Sequence, residues 1–166
     1  MSGIDTIPAE TRWAIATQAL TGANTATGAA FEQAVGEAGY KQAVTAIWRE
    51  AGKSSGQVAE AVGLPRPTDA PSLWGVMETL VQLIMGPEFV TDVTESGPDR
   101  VVVRFSSCPW AKRFSEQGVT SSPCVEGHNA WATGVADHFG LKLKHDLPTV
   151  MPRGDAYCTA VIELGA

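Results

Sequence analysis

The chain lacks any bunching of positive charge: its twelve Lys and Arg are scattered, eighteen Asp and Glu outweigh them, and the formal charge is −6. A phosphate backbone would meet no basic field, so nucleic acid is not an expected partner. Long apolar runs are missing too. The longest, near 80–85, falls far short of the roughly 20 residues that cross a bilayer, and the opening MSGIDTIPAETR has no basic segment leading into an apolar one. These absences predict no membrane partner and a cytoplasmic location. Cysteine is scarce, and three of them without a secretion signal argue for reduced thiols rather than a disulfide framework. No close C-x2–4-C pair, P-loop, GxGxxG, HExxH or GxSxG pattern occurs, so no metal, nucleotide or hydrolase motif announces itself.

What is present is globular: 166 residues, 44% hydrophobic and 18% charged, with no low-complexity tract. That length suits a single domain, 1–166, with a mainly helical half (1–86) and a half (87–166) that carries the cysteines. Helical periodicity predicts helices over 8–20, with Trp13, Ile15, Ala16 and Leu20 buried, and over 27–51, with Phe31, Ala34, Val35, Ala38, Val44, Ile47 and Trp48 buried. Gly22 and Asn24 should separate these two, and Gly52 should stop the second. A short helix over 54–62 and the loop GLPRPTDAP precede a core helix over 72–85, built on Leu73, Val76, Met77, Leu80 and Ile84 and ended by Gly86-Pro87.

Then the period shortens. Segments 89–95 and 100–105, joined by Ser96-Gly97-Pro98-Asp99, read as an antiparallel hairpin. Helices follow over 109–117 and 124–139 with a TSSP link between them, and strands over 141–145 and 156–164 close the chain. The expected fold class is α+β, N-terminal helices packed on an antiparallel sheet with two shorter helices between its hairpins, in the order β-β-α-α-β-β.

Sulfur chemistry is where sequence places the function. Cys108 and Cys124 each open a predicted helix, where free N–H groups and the dipole favour a thiolate. His128 follows Cys124 by one turn on the same face, the spacing at which an imidazole takes a thiol proton or two side chains share a metal. Cys158 alternates with Ala156, Ala160 and Ile162 on one face of the last strand, a core position unless its neighbours recruit it. Cys108, Cys124, Cys158 and His128 could converge as a Cys3His zinc site or hold an iron–sulfur cluster, whereas a hydrolytic reading requires no cofactor. Arg104 and Arg153 offer guanidinium forks for a small carboxylate, Asp155 an acid–base or turn role, and Trp110 and Trp131 pocket walls. Ala30, Ala34 and Ala38 would allow the close helix approach of a homodimer.

A cysteine directly after a hairpin strand (Cys108), a second after a short helix (Pro123-Cys124), and the ending Gly154-Asp155-Ala156-Tyr157-Cys158 before a final apolar strand resemble the L-2-amino-thiazoline-4-carboxylic acid hydrolase family. The GD-x-Y-C ending also resembles that of vinyl-reductase-type small-molecule domains. The resemblance implies an α+β domain with a small-molecule site around the three cysteines, which match the family's own, and hydrolytic opening of a small carboxylated, sulfur-containing heterocycle. The segment Val125-Glu126-Gly127-His128 and the triplet Met151-Pro152-Arg153 depart from the family pattern. The leading expectation is a hydrolase-like enzyme with Cys124 or Cys108 as nucleophile, His128 as base and Arg153 or Arg104 as anchor. The alternative is a non-catalytic small-molecule or metal-binding sensor module.

Overall fold

The computed structural model describes residues 3–119 and 124–165. After a short 3-10 turn, Gly3–Thr6, one long helix, α1 (Ala9–Ala61), takes the place of the three helices expected. Neither Gly22 nor Gly52 interrupts it. The break falls at Gly36, whose φ of 76° is open to glycine and strained for residues with a Cβ. Gly52 continues the helix because it is a packing point, against α4 (Cys124–Phe139).

The buried face of the first half of α1 also differs from expectation. Thr17, Thr21 and Thr25 point inward, while Ile15, Leu20, Phe31 and Val35 are exposed, as is Ile47 further on. Small side chains let α1 lie close to the end of α2 (Ala70–Met85), where Thr17 Oγ1 donates to the Ile84 carbonyl at 3.3 Å. Thr21 and Thr25 return their hydroxyls to the carbonyls four residues back, each at 2.8 Å, so burial leaves them satisfied. Trp13 lies across Gly86, with its ring 3.3 Å from where a Cβ there would sit. Ala30, Ala34 and Ala38 are exposed.

The second half of α1 crosses α4 backbone to backbone. A Cβ on Gly52 would lie 3.0 Å from Gly134 Cα and closer still to the Trp131 carbonyl, and a Cβ on Gly134 would collide with the Arg49 carbonyl. Arg49 braces the seam, donating from Nε and Nη2 to Asp137 at 2.9 and 2.7 Å. α2 starts one turn earlier than Ser72: Asp69 is the cap, accepting from Ser72 N at 2.8 Å while Ser72 Oγ accepts from Asp69 N at 3.2 Å. Leu73, Val76, Met77 and Leu80 are buried as the periodicity predicts, but Ile84 in the last turn is exposed.

Strands β1 (Val90–Gly97), β2 (Arg100–Ser107), β3 (Leu143–Thr149) and β4 (Cys158–Leu164) form one antiparallel sheet in the order β1-β2-β4-β3. Alternation sorts its faces. Val101, Val103 and Phe105 of β2 and Cys158, Ala160 and Ile162 of β4 turn inward under α2 and α4. The outer face carries ion pairs, Arg100 with Glu95 at 2.9 Å and with Glu163, and Lys144 with Glu163 at 2.8 Å. The fourth expected strand loses Ala156, which is exposed outside β4. Between β2 and α4 lies α3 (Pro109–Glu116); the TSSP link, 120–123, lies outside the described residues.

Candidate functional site

α4 and β3 bring two histidines together inside the fold. His128 projects from α4 and His145 from the inward register of β3, beside Leu143 and Leu147, and their ring centroids are 4.8 Å apart. The remaining walls are aromatic: Phe105 lies 5.7 Å and Trp131 6.2 Å from His128, and Trp74 of α2 packs 5.8 Å from Phe105. Trp131 Nε1 donates to Ser55 Oγ at 3.1 Å, and His145 Nδ1 meets Asn129 Oδ1 at 2.6 Å. Three other ring nitrogens of this cluster, Trp74 Nε1, His128 Nδ1 and His145 Nε2, are buried and find no hydrogen-bond partner among the described residues.

Burial also fixes the charge. It lowers the His128 pKa to about 4, and together with repulsion from His128 it lowers that of His145 to about 2, so both rings are neutral near pH 7. A neutral imidazole offers one donor and one acceptor. The site therefore presents a few directed polar groups among apolar walls, an arrangement suited to orienting a small uncharged molecule.

The cysteines divide between two places. Cys108, at the start of α3, and Cys158, in β4, are near neighbours: burial raises the Cys108 pKa to about 11, backbone N–H groups of Ala111 and Trp110 offset part of this, and Cys158 adds to the rise. Burial likewise raises that of Cys158, whose sulfur accepts from Met151 N at 3.2 Å. Helix-start position was expected to favour a thiolate at Cys108, and burial outweighs it. Cys124 stands on the α1 side of α4, near the Tyr40 phenol, whose pKa is raised by burial first, then by Glu32 and Cys124. Among the described residues, no group of three or more His, Cys, Asp or Glu is arranged to hold a metal ion.

The proposed handles lie elsewhere. Arg104 is on the outer face of the sheet, its guanidinium 4.5 Å over the Tyr157 ring, and Arg153 is exposed on the 3-10 turn Met151–Arg153. Asp155 accepts from Val150 N at 2.7 Å, which pins that turn. Trp110 stacks with Phe114 and meets Trp48 edge-on at 5.9 Å, whereas Trp131 walls the pair. Glu126 reaches Lys41 of α1 at 3.3 Å. An open depression lined by Lys41, Gln42, Thr45, Ala46, Arg49 and Glu50 borders neither the histidines nor the cysteines. Sequence reading missed His145, Asn129, Trp74 and Phe105; the one available signal was a histidine inside a short apolar-alternating strand, where it shares a face with Leu143 and Leu147.

No family model matches the chain, and no curated protein matches it. Solved structures do. The phenol-responsive sensory domain of the transcription activator PoxR, determined with phenol, aligns with a TM-score of 0.63 at 13% identity over 87% of this chain and 74% of its own. A trafficking protein particle complex subunit 3 from Naegleria fowleri, covalently bound to palmitic acid, aligns with a TM-score of 0.65 at 10% identity over 92% of this chain and 96% of its own. The SO2144 H-NOX domain from Shewanella oneidensis gives 0.53 at 20% identity over 76% and 65%. The chain shares their α+β fold. None of the three is a thiazoline carboxylate hydrolase, so the fold expected from the resemblance stands while that family assignment gains no support. No described helix is long and apolar enough to cross a membrane.

Proposed function

We propose that this chain is a small-molecule-binding module whose ligand lies against the His128–His145 pair, within the Trp74, Phe105 and Trp131 rings. The observation that carries the reading is the set of three buried ring nitrogens in one aromatic cluster that have no partner among the described residues. Each such group costs about 1–3 kcal/mol when left unmade, so three together call for an occupant that supplies the missing partners. Two proteins of the same fold support this reading, since one structure holds phenol and another a covalently attached palmitic acid. The ligand is uncharged, because two neutral imidazoles offer no counter-charge to a carboxylate taken out of water.

The hydrolytic alternative keeps Cys124 as nucleophile and His128 as base. A ring whose pKa burial has lowered to about 4 is a weak base for a thiol proton, and a buried Cys108 at about 11 is a poor source of thiolate, so binding is favoured over catalysis.

A thermal-shift screen with small neutral aromatics and aliphatic alcohols tests the proposal. A ligand at a hundred times its Kd stabilises by about 2.7 kcal/mol, a rise of about 5–11 °C for a chain of this size. His145→Phe should abolish that rise. A high-resolution structure showing only ordered water on those nitrogens, with no shift from any compound, refutes it.

A further inference from the structure

The hydrogen-bonding polarity of this site is set from outside the ring pair, by Asn129, an inference that rests on the binding reading above. His145 Nδ1 stands 2.6 Å from Asn129 Oδ1. A carboxamide oxygen only accepts, so with that oxygen facing the ring the contact requires the proton on Nδ1. A neutral imidazole has a single N–H, and the other nitrogen, Nε2, is then a bare lone pair, buried and without a partner among the described residues. His128 Nδ1, likewise buried and unpartnered, belongs to the ring whose centroid is 4.8 Å away. An occupant that satisfies His145 must therefore donate. One that only accepts leaves Nε2 as lonely as before.

We propose that Asn129 is a positioning residue that fixes His145 as an acceptor, and that the site selects molecules with an O–H or N–H donor on an uncharged, apolar body over the same body with that donor methylated. The aromatic walls supply affinity for the body, Phe105 and Trp131 flanking the pair and Trp74 behind Phe105. The donor supplies the discrimination. A cationic donor is selected against because an ion would have to shed its water among aromatic rings.

Two measurements on the full chain test this. Two-bond 15N–1H correlation spectra at pH 8 read the tautomers directly: His145 should carry its proton on Nδ1, and Asn129→Leu should convert it to a mixture. Titration of tryptophan fluorescence with phenol and with its methyl ether, anisole, should show phenol binding at least about tenfold more tightly, with the ratio falling toward one in Asn129→Leu. If Asn129→Leu does not fold, the native tautomer and the native ratio decide. An Nε2–H tautomer, or equal affinities for the two probes, overturns the proposal while a binding site remains. Failure of both probes to bind, with the Nδ1–H tautomer confirmed, overturns the selectivity for a donor on an apolar body, and only when no compound of the thermal-shift screen binds either does the small-molecule reading fall with it.

Discussion

Adding one methyl group at Gly134 should unseat the helix that carries the site. The new Cβ would stand 3.0 Å from Arg49 C and from Gly52 Cα, and nearer still to the Arg49 carbonyl oxygen. Carbon atoms rest at about 3.5–4.0 Å, so α1 and α4 must part by about 0.5–1 Å, and the clash is with backbone that cannot rotate away. Overpacking costs about 1–3 kcal/mol, and a clash with fixed backbone falls in the upper part of that range, about 2–3 kcal/mol, of which the better helix propensity of alanine returns about 1 kcal/mol. The net loss is about 1–2 kcal/mol, or about 2–8 °C in Tm. Gly75→Ala is the control: it sits in α2 with no described residue within 4 Å of its Cβ position, so only the propensity gain remains and Tm should rise. Differential scanning calorimetry of both variants measures the contrast. Because Asn129 and His128 ride on α4, Gly134→Ala should also weaken any ligand-induced shift. A Gly134→Ala protein as stable as the parent would refute the close-crossing argument.

The buried histidines make stability fall with acidity. Unfolded imidazoles take up protons near pH 6.5, whereas the folded rings resist until about 4 and about 2, so between about 6.5 and 4 the unfolded chain binds more protons. Each histidine should then remove up to about 1.4 kcal/mol per pH unit as pH drops, and urea titrations from pH 7 to 4.5 on the parent and on His145→Phe should show a shallower slope in the variant. Asp69→Ala removes the α2 cap and should cost about 1 kcal/mol in the same titration. Iodoacetamide at pH 7 should modify Cys108 and Cys158 far more slowly than Cys124, with mass spectrometry of digests as the readout, because burial raises both of their pKa values. If His128→Ala leaves the Cys124 rate unchanged, His128 has no part in thiol chemistry.

The sheet was legible because its residues obey a short period: the turn at Pro98-Asp99, the inward set of β4 from Cys158 to Ile162, and α4 from Cys124 to Phe139 all follow from alternation, turn chemistry or helical spacing. α1 was not. Apolar periodicity placed Trp13, Ile15 and Leu20 inside, but the deciding variable was size. Close approach to α2 and α4 selects Thr17, Gly52 and Gly56, residues that hydropathy ranks low and whose role depends on where the partner helix runs. Glycine reads as a stop when the partner is unknown and as a contact when it is known.

The same dependence on partners moved the site. Cysteine beside histidine at helical spacing is a statement about reactivity, and reactivity assumes that charge can form. The fold answers with desolvation: it holds Cys108 protonated and His128 unprotonated, the forms least able to exchange a proton at pH 7. What desolvation removes from acid–base chemistry it lends to recognition, since a hydrogen bond to a neutral imidazole strengthens where water is absent and an unmatched one is costly. Asn129 then decides which kind of bond His145 can make. A sequence shows the histidine but not the carbonyl oxygen that orders its proton, and the second of these determines what the first can bind.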